Sequence, residues 1–181
     1  TMRCHSPWES FFMTRVIVTG MGWITPLGND LDTVWKRMCN SESAIATIDR
    51  FDASSFPTKF AGQVRDFDWT AYVNDSAIHH SPAMNSQFAL GAAKQAWEQS
   101  GLGNFKQLNL ERAGIYMGAG EGVLDFSAHS MIDTHSWDVE DDKVDPVAWA
   151  KFAQDSLDEW GEVEQEPNMP LWHVAKEYGL R

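Results

Sequence analysis

The apolar positions of this 181-residue chain fall into short blocks separated by Gly, Pro and polar runs, and their spacing predicts an α/β protein. Val16 to Val18 form a short apolar strand, and Gly20, Gly22, Pro26 and Gly28 punctuate its exit. A helix follows with Asn29 as N-cap, because Leu31, Val34, Trp35 and Met38 recur at helical spacing; it ends near Asn40. Lys59 to Val64 read as a short edge strand. A second helix starts at Ser81, with Pro82 in its first turn and Gly101 as its left-handed stop. Its stripe of Phe88, Ala89, Ala92, Ala93, Ala96 and Trp97 is rich in small residues, which implies close packing and a central place in the fold. Arg112 to Gly118 read as a strand buried on both faces, with the GAGEG sequence of residues 118–122 as its exit loop. Asp145, Pro146 and the apolar row of Trp149, Phe152, Ala153, Leu157 and Trp160 predict a helix closed by Gly161. The last helix starts near Asn168, lines up Leu171, Val174, Ala175 and Tyr178, and stops at Gly179.

Charge changes this picture once it is localised. Residues 133–166 hold 12 of the 26 acidic side chains against two bases, Lys143 and Lys151, so they carry -10 of the formal net charge of -12. Because this stretch contains its own helix, it reads as an ordered acidic insertion, about 127–165, that its charge keeps solvated. An acidic surface argues against nucleic acid, whose phosphates need Lys and Arg. No apolar run reaches the roughly 18 residues that span a bilayer, and TMRCHSPWESFF lacks the pattern of a signal peptide. The expectation is a cytoplasmic protein with reduced thiols, Cys39 being a small core residue. Met13 directly precedes the first strand, so residues 1–12 read as a loosely ordered leader or a cloning scar, and 13–181 as the domain.

Candidate chemistry is sparse. Gly20-x-Gly22 follows a strand, but position 25 is Thr, so the third glycine of a dinucleotide fingerprint is missing. Gly118-x-Gly120-x-Gly122 offers backbone N–H groups, yet Glu121 and Asp125 would repel phosphate and no base lies near, so a tight turn allowing close backbone approach fits better. His129, Asp133 and His135 form one histidine cluster and His79 with His80 one pair; neither makes a convincing metal set, and surface or loop histidines are the expectation. No cofactor is implied, and no nucleophile–base spacing is present.

Taken together, RVIVTGMGWITPLGN (15–29), IDRFDASSFPTKFAGQVRDFD (48–68), QFALGAAKQAWEQSGL (87–102), RAGIYMGAGEG (112–122) and NMPLWHVAKEYGLR (168–181) resemble, in order and spacing, the elongating β-ketoacyl–acyl carrier protein synthases. The resemblance covers roughly 15–126 and 166–181. It implies a thiolase-like fold, of which this chain is the N-terminal half: a mixed sheet with packed helices, carrying the acidic, partly helical insertion. The family usually forms dimers, so a homodimer or a heterodimer with another ketosynthase-like subunit is implied. Its reaction is a decarboxylative Claisen condensation of acyl and malonyl thioesters, in which a cysteine thiolate carries the acyl group and two histidines stabilise developing charge. Those three residues are expected beyond Arg181, and neither Cys4 nor Cys39 stands at a matching position. The chain therefore takes over no catalytic residue and is expected to be inactive alone. A non-catalytic partner resembling a chain-length factor is the alternative reading.

Two departures from the family pattern bear on specificity. Relatives tend to place an apolar residue where this chain has Glu121, at an acyl-pocket wall that the resemblance assigns to Gly120, Glu121 and Gly122. A buried carboxylate there would disfavour a long saturated acyl chain; a solvent-facing one would not. Relatives also carry a basic cluster for docking the acidic acyl carrier protein just before the helix of Gln87. The corresponding stretch here is Ser76, Ala77, Ile78, His79, His80 and Ser81, which weakens that patch.

Overall fold

The computed structural model describes residues 15–106, 108–122 and 124–180. In chain order the elements are α1 (Leu31–Cys39), β1 (Ile45–Thr47), β2 (Phe60–Gly62), α2 (Met84–Ser100), α3 (Phe126–His135), β3 (Trp137–Asp138), β4 (Lys143–Val144), α4 (Pro146–Ser156), α5 (Glu159–Glu164) and α6 (Met169–Tyr178). Short 3₁₀ turns at Trp69–Tyr72 and Ser76–His79 lead into α2.

Helix α2 is the axis of the fold, and α6 is its most extensive partner. Leu90 is fully buried on α2, Val174 and Met169 are buried on α6, and the rings of Trp97 and Tyr178 stack at 4.4 Å across the two helices. The small residues of α2 serve the segment before α1. A Cβ on Gly20 or Gly22 would collide with the carbonyl oxygens of Ala96 and Ala92, so only glycine lets the chain lie this close to the helix. Side chains of α2 then satisfy the backbone of that segment. Gln99 Oε1 accepts from the Met21 N–H at 2.7 Å, while Gln95 accepts from the Trp23 N–H at 3.1 Å and donates to the carbonyls of Trp23 and Asn29.

The start of this segment departs from the strand expected there. Val16 to Val18 are not ladder-paired among the described residues and are 92%, 75% and 82% exposed; the contact with α2 begins only at Gly20. Arg112 to Gly118 likewise pair with no strand among the described residues, and Tyr116 stands fully exposed instead of buried. Sheet structure among the described residues consists of two two-stranded antiparallel ladders, β1 with β2 and β3 with β4. The first contains the edge strand expected between Lys59 and Val64, in the register Ile45 to Gly62 and Thr47 to Phe60.

Helix boundaries follow their caps. Asp30, not Asn29, caps α1 by accepting from the Thr33 N–H at 2.8 Å. Only Val34 of the α1 stripe is buried; Trp35 and Met38 are about half exposed, and Cys39 is an exposed free thiol rather than a core residue. The N-cap of α2 is Ala83, two residues later than the expected Ser81, and the helix has no local side-chain cap. Both α2 and α6 stop at left-handed glycines, Gly101 and Gly179, as their sequence predicts.

The acidic segment is helical in three pieces rather than one. Asp145 caps α4, but the expected run to Gly161 breaks at Leu157, because Asp158 caps a new helix by accepting from the Gly161 N–H at 2.7 Å. Helix α3 has no sequence signal beyond its cap, Asp125, since Ile132 alone among its residues is buried. The expectation for residues 1–12, and that for Cys4, lie outside the described residues.

Candidate functional site

Four parts of the chain meet at the N-terminus of α2: the loop 118–122, the 3₁₀ turn of His79, the end of α5 and the helix α6. The loop contributes the three residues that the sequence marks as a pocket wall. Gly122 donates its N–H to the Gln165 carbonyl at 2.7 Å, and a Cβ there would lie 2.7 Å from the Glu164 carbonyl oxygen, so close backbone approach is real at this glycine. At Gly118 and Gly120 it is not, for among the described residues nothing stands within 4 Å of the space a side chain would take. The Gly120 carbonyl accepts weakly from Asn85 Nδ2 at 3.5 Å. Glu121 is exposed.

The missing cap of α2 comes from far along the chain. Glu164, on α5 in the acidic segment, is 3% exposed and accepts at Oε2 from the Ala83 N–H at 3.0 Å. A carboxylate at the N-terminus of a 17-residue helix meets both an orphan donor and the positive end of the helix dipole. Its other oxygen lies 2.8 Å from His173 Nε2 on α6. His173 Nδ1 lies 3.0 Å from His79 Nδ1, and His79 Nε2 lies 2.9 Å from Glu177 Oε2. Glu177 is held in turn by the Asn74 N–H and the Asn74 side-chain amide on Oε1, at 2.8 and 2.6 Å. Both histidine side chains are fully buried. Burial pushes His173 below the ordinary imidazole value, against the opposing pull of Glu164.

This buried chain is what sequence reasoning missed. His79 is a core residue, not a loop histidine, whereas its neighbour His80 is exposed and rests its ring against Trp160 at 4.9 Å. His173 sits inside the apolar-looking WHVA run of α6, and spacing gives no hint that it faces His79. The other histidine cluster disperses. Asp133 accepts from Trp149 Nε1 at 2.8 Å, His135 Nδ1 lies 2.7 Å from the Met131 carbonyl oxygen, and His129 lies 3.8 Å from Glu162. Among the described residues no three His, Cys, Asp or Glu side chains are grouped to hold a metal ion.

A glycine-flanked segment pressed onto a central helix, a capping helix α6 and small ladders at the rim define a class. The arrangement superimposes on the ishigamide ketosynthase/chain length factor with a TM-score of 0.65 at 21% identity, over 91% of this chain and 37% of that one. The fold is thus the N-terminal half of a thiolase-like fold. The profile of the beta-ketoacyl synthase N-terminal domain matches residues 13–153, and the chain belongs to that family. It is 42% identical over 110 residues to 3-oxoacyl-[acyl-carrier-protein] synthase 2 of Coxiella burnetii, covering 61% of this chain and 26% of that protein. To the protein of the same name from Vibrio harveyi it is 38% identical over 120 residues, covering 65% and 28%. The chain spans about a quarter of the length of these relatives.

Proposed function

We infer that this chain is the N-terminal part of a β-ketoacyl–acyl carrier protein synthase, which joins acyl and malonyl thioesters by decarboxylative condensation in fatty acid or polyketide assembly. The family match over residues 13–153 carries the reading. Acyl carrier protein delivers the thioesters, and the working unit is a dimer with a second ketosynthase-like subunit. No helix among the described residues is long and apolar enough to cross a membrane.

The chemistry itself needs an activated thiolate and preorganised donors for an enolate and an oxyanion. Cys39 is an exposed free thiol at the end of α1 and stands at no position that the family's nucleophile occupies. The residues that this chain contributes are scaffold and pocket wall: Gly120, Glu121 and Gly122 border the acyl site, with Gly122 pinned to Gln165. An exposed Glu121 polarises the mouth of that site rather than its depth. The acidic segment 127–165 serves as an ordered insertion that packs its last turn under the loop.

The test is condensation by the protein translated from the whole gene, supplied with acyl- and malonyl-loaded carrier protein. Formation of a β-ketoacyl product that disappears when the cysteine a short strand beyond Arg181 is changed to Ala supports the reading. A Gln or other residue at that position, with no product, favours the chain-length-factor-like role. The 181-residue chain alone should form no product.

A further inference from the structure

Where α2, α5 and α6 meet, four titratable side chains from remote parts of the chain are buried in one line: Glu177, His79, His173 and Glu164. The three contacts along it measure 2.9, 3.0 and 2.8 Å. Every side chain in the line is at most 4% exposed, so bulk solvent does not reach these contacts. At these separations neither two facing lone pairs nor two facing N–H groups are tolerable, and each contact must hold one proton. Two neutral imidazoles between two carboxylates bring only two. We propose that His79 and His173 share one extra proton and that this single buried imidazolium clamps the acidic segment and the loop 118–122 to the core. The clamp belongs to the chain's own architecture and does not depend on the activity inferred above.

The surroundings fit one charge and no more. Glu177 and Glu164 flank the pair with negative charge from α6 and α5, and both oxygens of each are occupied. Lys176, over the Trp172 ring at 4.2 Å, is the cation that bears on the pair and opposes a second positive charge. The Trp69 ring closes the side of His79, edge-on at 6.2 Å. Burial pushes His173 below the ordinary imidazole value, which opposes a second charge on the pair; the Nδ1–Nδ1 contact is symmetric and takes its one proton from either ring.

Acidification and alkalinisation both break the line. A second proton sets N–H against N–H across the 3.0 Å contact, and loss of the shared proton sets lone pair against lone pair. On the acid side the sign follows from His173. Its folded-state value lies below the ordinary one, so the unfolded chain takes up the proton first, and stability present above the ordinary imidazole value is lost as pH falls through it. Opening of the Nδ1–Nδ1 contact separates α6 from the His79 turn and removes the support behind Glu164, the Ala83 cap and the Gly122–Gln165 contact.

Ring-nitrogen chemical shifts of the two histidines in the 181-residue chain, followed by NMR from about pH 5 to about pH 9, decide the matter. Between about pH 6 and 8 the pair should show three protonated ring nitrogens and one bare one. Two neutral rings, or two imidazolium rings, in that window overturn the proposal. Thermal melts give a second readout. The wild-type midpoint should fall on both sides of neutrality, and the H79Q/H173Q double variant, whose amides cannot titrate, should lose that extra dependence. Superimposable profiles for the two proteins also overturn it. If the double variant does not fold, the proton count in the wild type stands alone as the test.

Discussion

Replacing Glu164 by Ala should be among the most damaging single changes outside the apolar core, although the residue lies in the acidic segment where most charges face water. The carboxylate is buried and makes two charge-assisted contacts, to the Ala83 N–H at 3.0 Å and to His173 Nε2 at 2.8 Å. A hydrogen bond to a charged group contributes about 1.5–3 kcal/mol, and breaking a buried pair by removing one partner costs about 3–5 kcal/mol. Removal also leaves the first turn of α2 without a cap and a buried imidazole without its acceptor. The expected loss is therefore about 3–5 kcal/mol, a large share of the roughly 5–15 kcal/mol of a typical domain. Urea denaturation followed by tryptophan fluorescence measures it, since Trp160 and Trp172 pack next to the site at 5.9 Å from each other. Glu42→Ala is the control, because its ion pair with Arg37 is open to solvent and screened by it. If the Glu164 variant melts in urea no earlier than the Glu42 variant, the cap and the buried line do not hold the segment.

Gly22→Ala should destabilise the chain by more than the few tenths of a kcal/mol typical of a surface glycine, because its Cβ meets the Ala92 carbonyl; a calorimetric midpoint unchanged from wild type would count against the close approach. Asp30→Ala removes the α1 cap, with an expected loss of about 1 kcal/mol by urea denaturation at neutral pH. The Thr33 N–H holds the Asp30 carboxyl below its ordinary value, so this contribution is present above the unfolded-state value and fades as pH falls through the folded one; the variant and wild type should converge in strong acid. Cys39 should react with a thiol reagent in the native state without a lag for unfolding, whereas a core thiol would react only as fast as the chain opens. Tyr178→Phe should leave stability unchanged or raised, since the hydroxyl has no hydrogen-bond partner among the described residues and the stack on Trp97 survives; a loss above about 1 kcal/mol would refute this.

Elements whose signal is local were legible in the sequence. The left-handed stops at Gly101 and Gly179, the Asp145 cap, the short strand at Phe60–Gly62 and the α6 stripe all stand where spacing put them. These depend on one residue's backbone freedom or on a bond spanning three or four positions. Apolar runs misled where a strand needs a partner: Val16 to Val18 and the stretch through Tyr116 have strand composition, yet neither pairs among the described residues. The Glu164–His173–His79–Glu177 line was invisible for a related reason. Its members lie up to 98 positions apart, and no period links them.

By itself the sequence determined the family, through five ordered blocks, and it determined α1, α2, α6 and the start of α4, because capping and periodicity act within a few residues; α3 and the separate α5 carried no such signal. Tertiary structure alone decided that Gly20 and Gly22 let the chain lie directly against α2, and that a glutamate of the acidic segment caps a helix far from it in the chain. It also decided that His79, from a polar turn, and His173, from an apolar run, meet in the core. The physical reason is common to all three. Whether a small residue, a carboxylate or an imidazole is structural depends on which remote group fills its last van der Waals or hydrogen-bonding partner, and only the folded chain supplies that group.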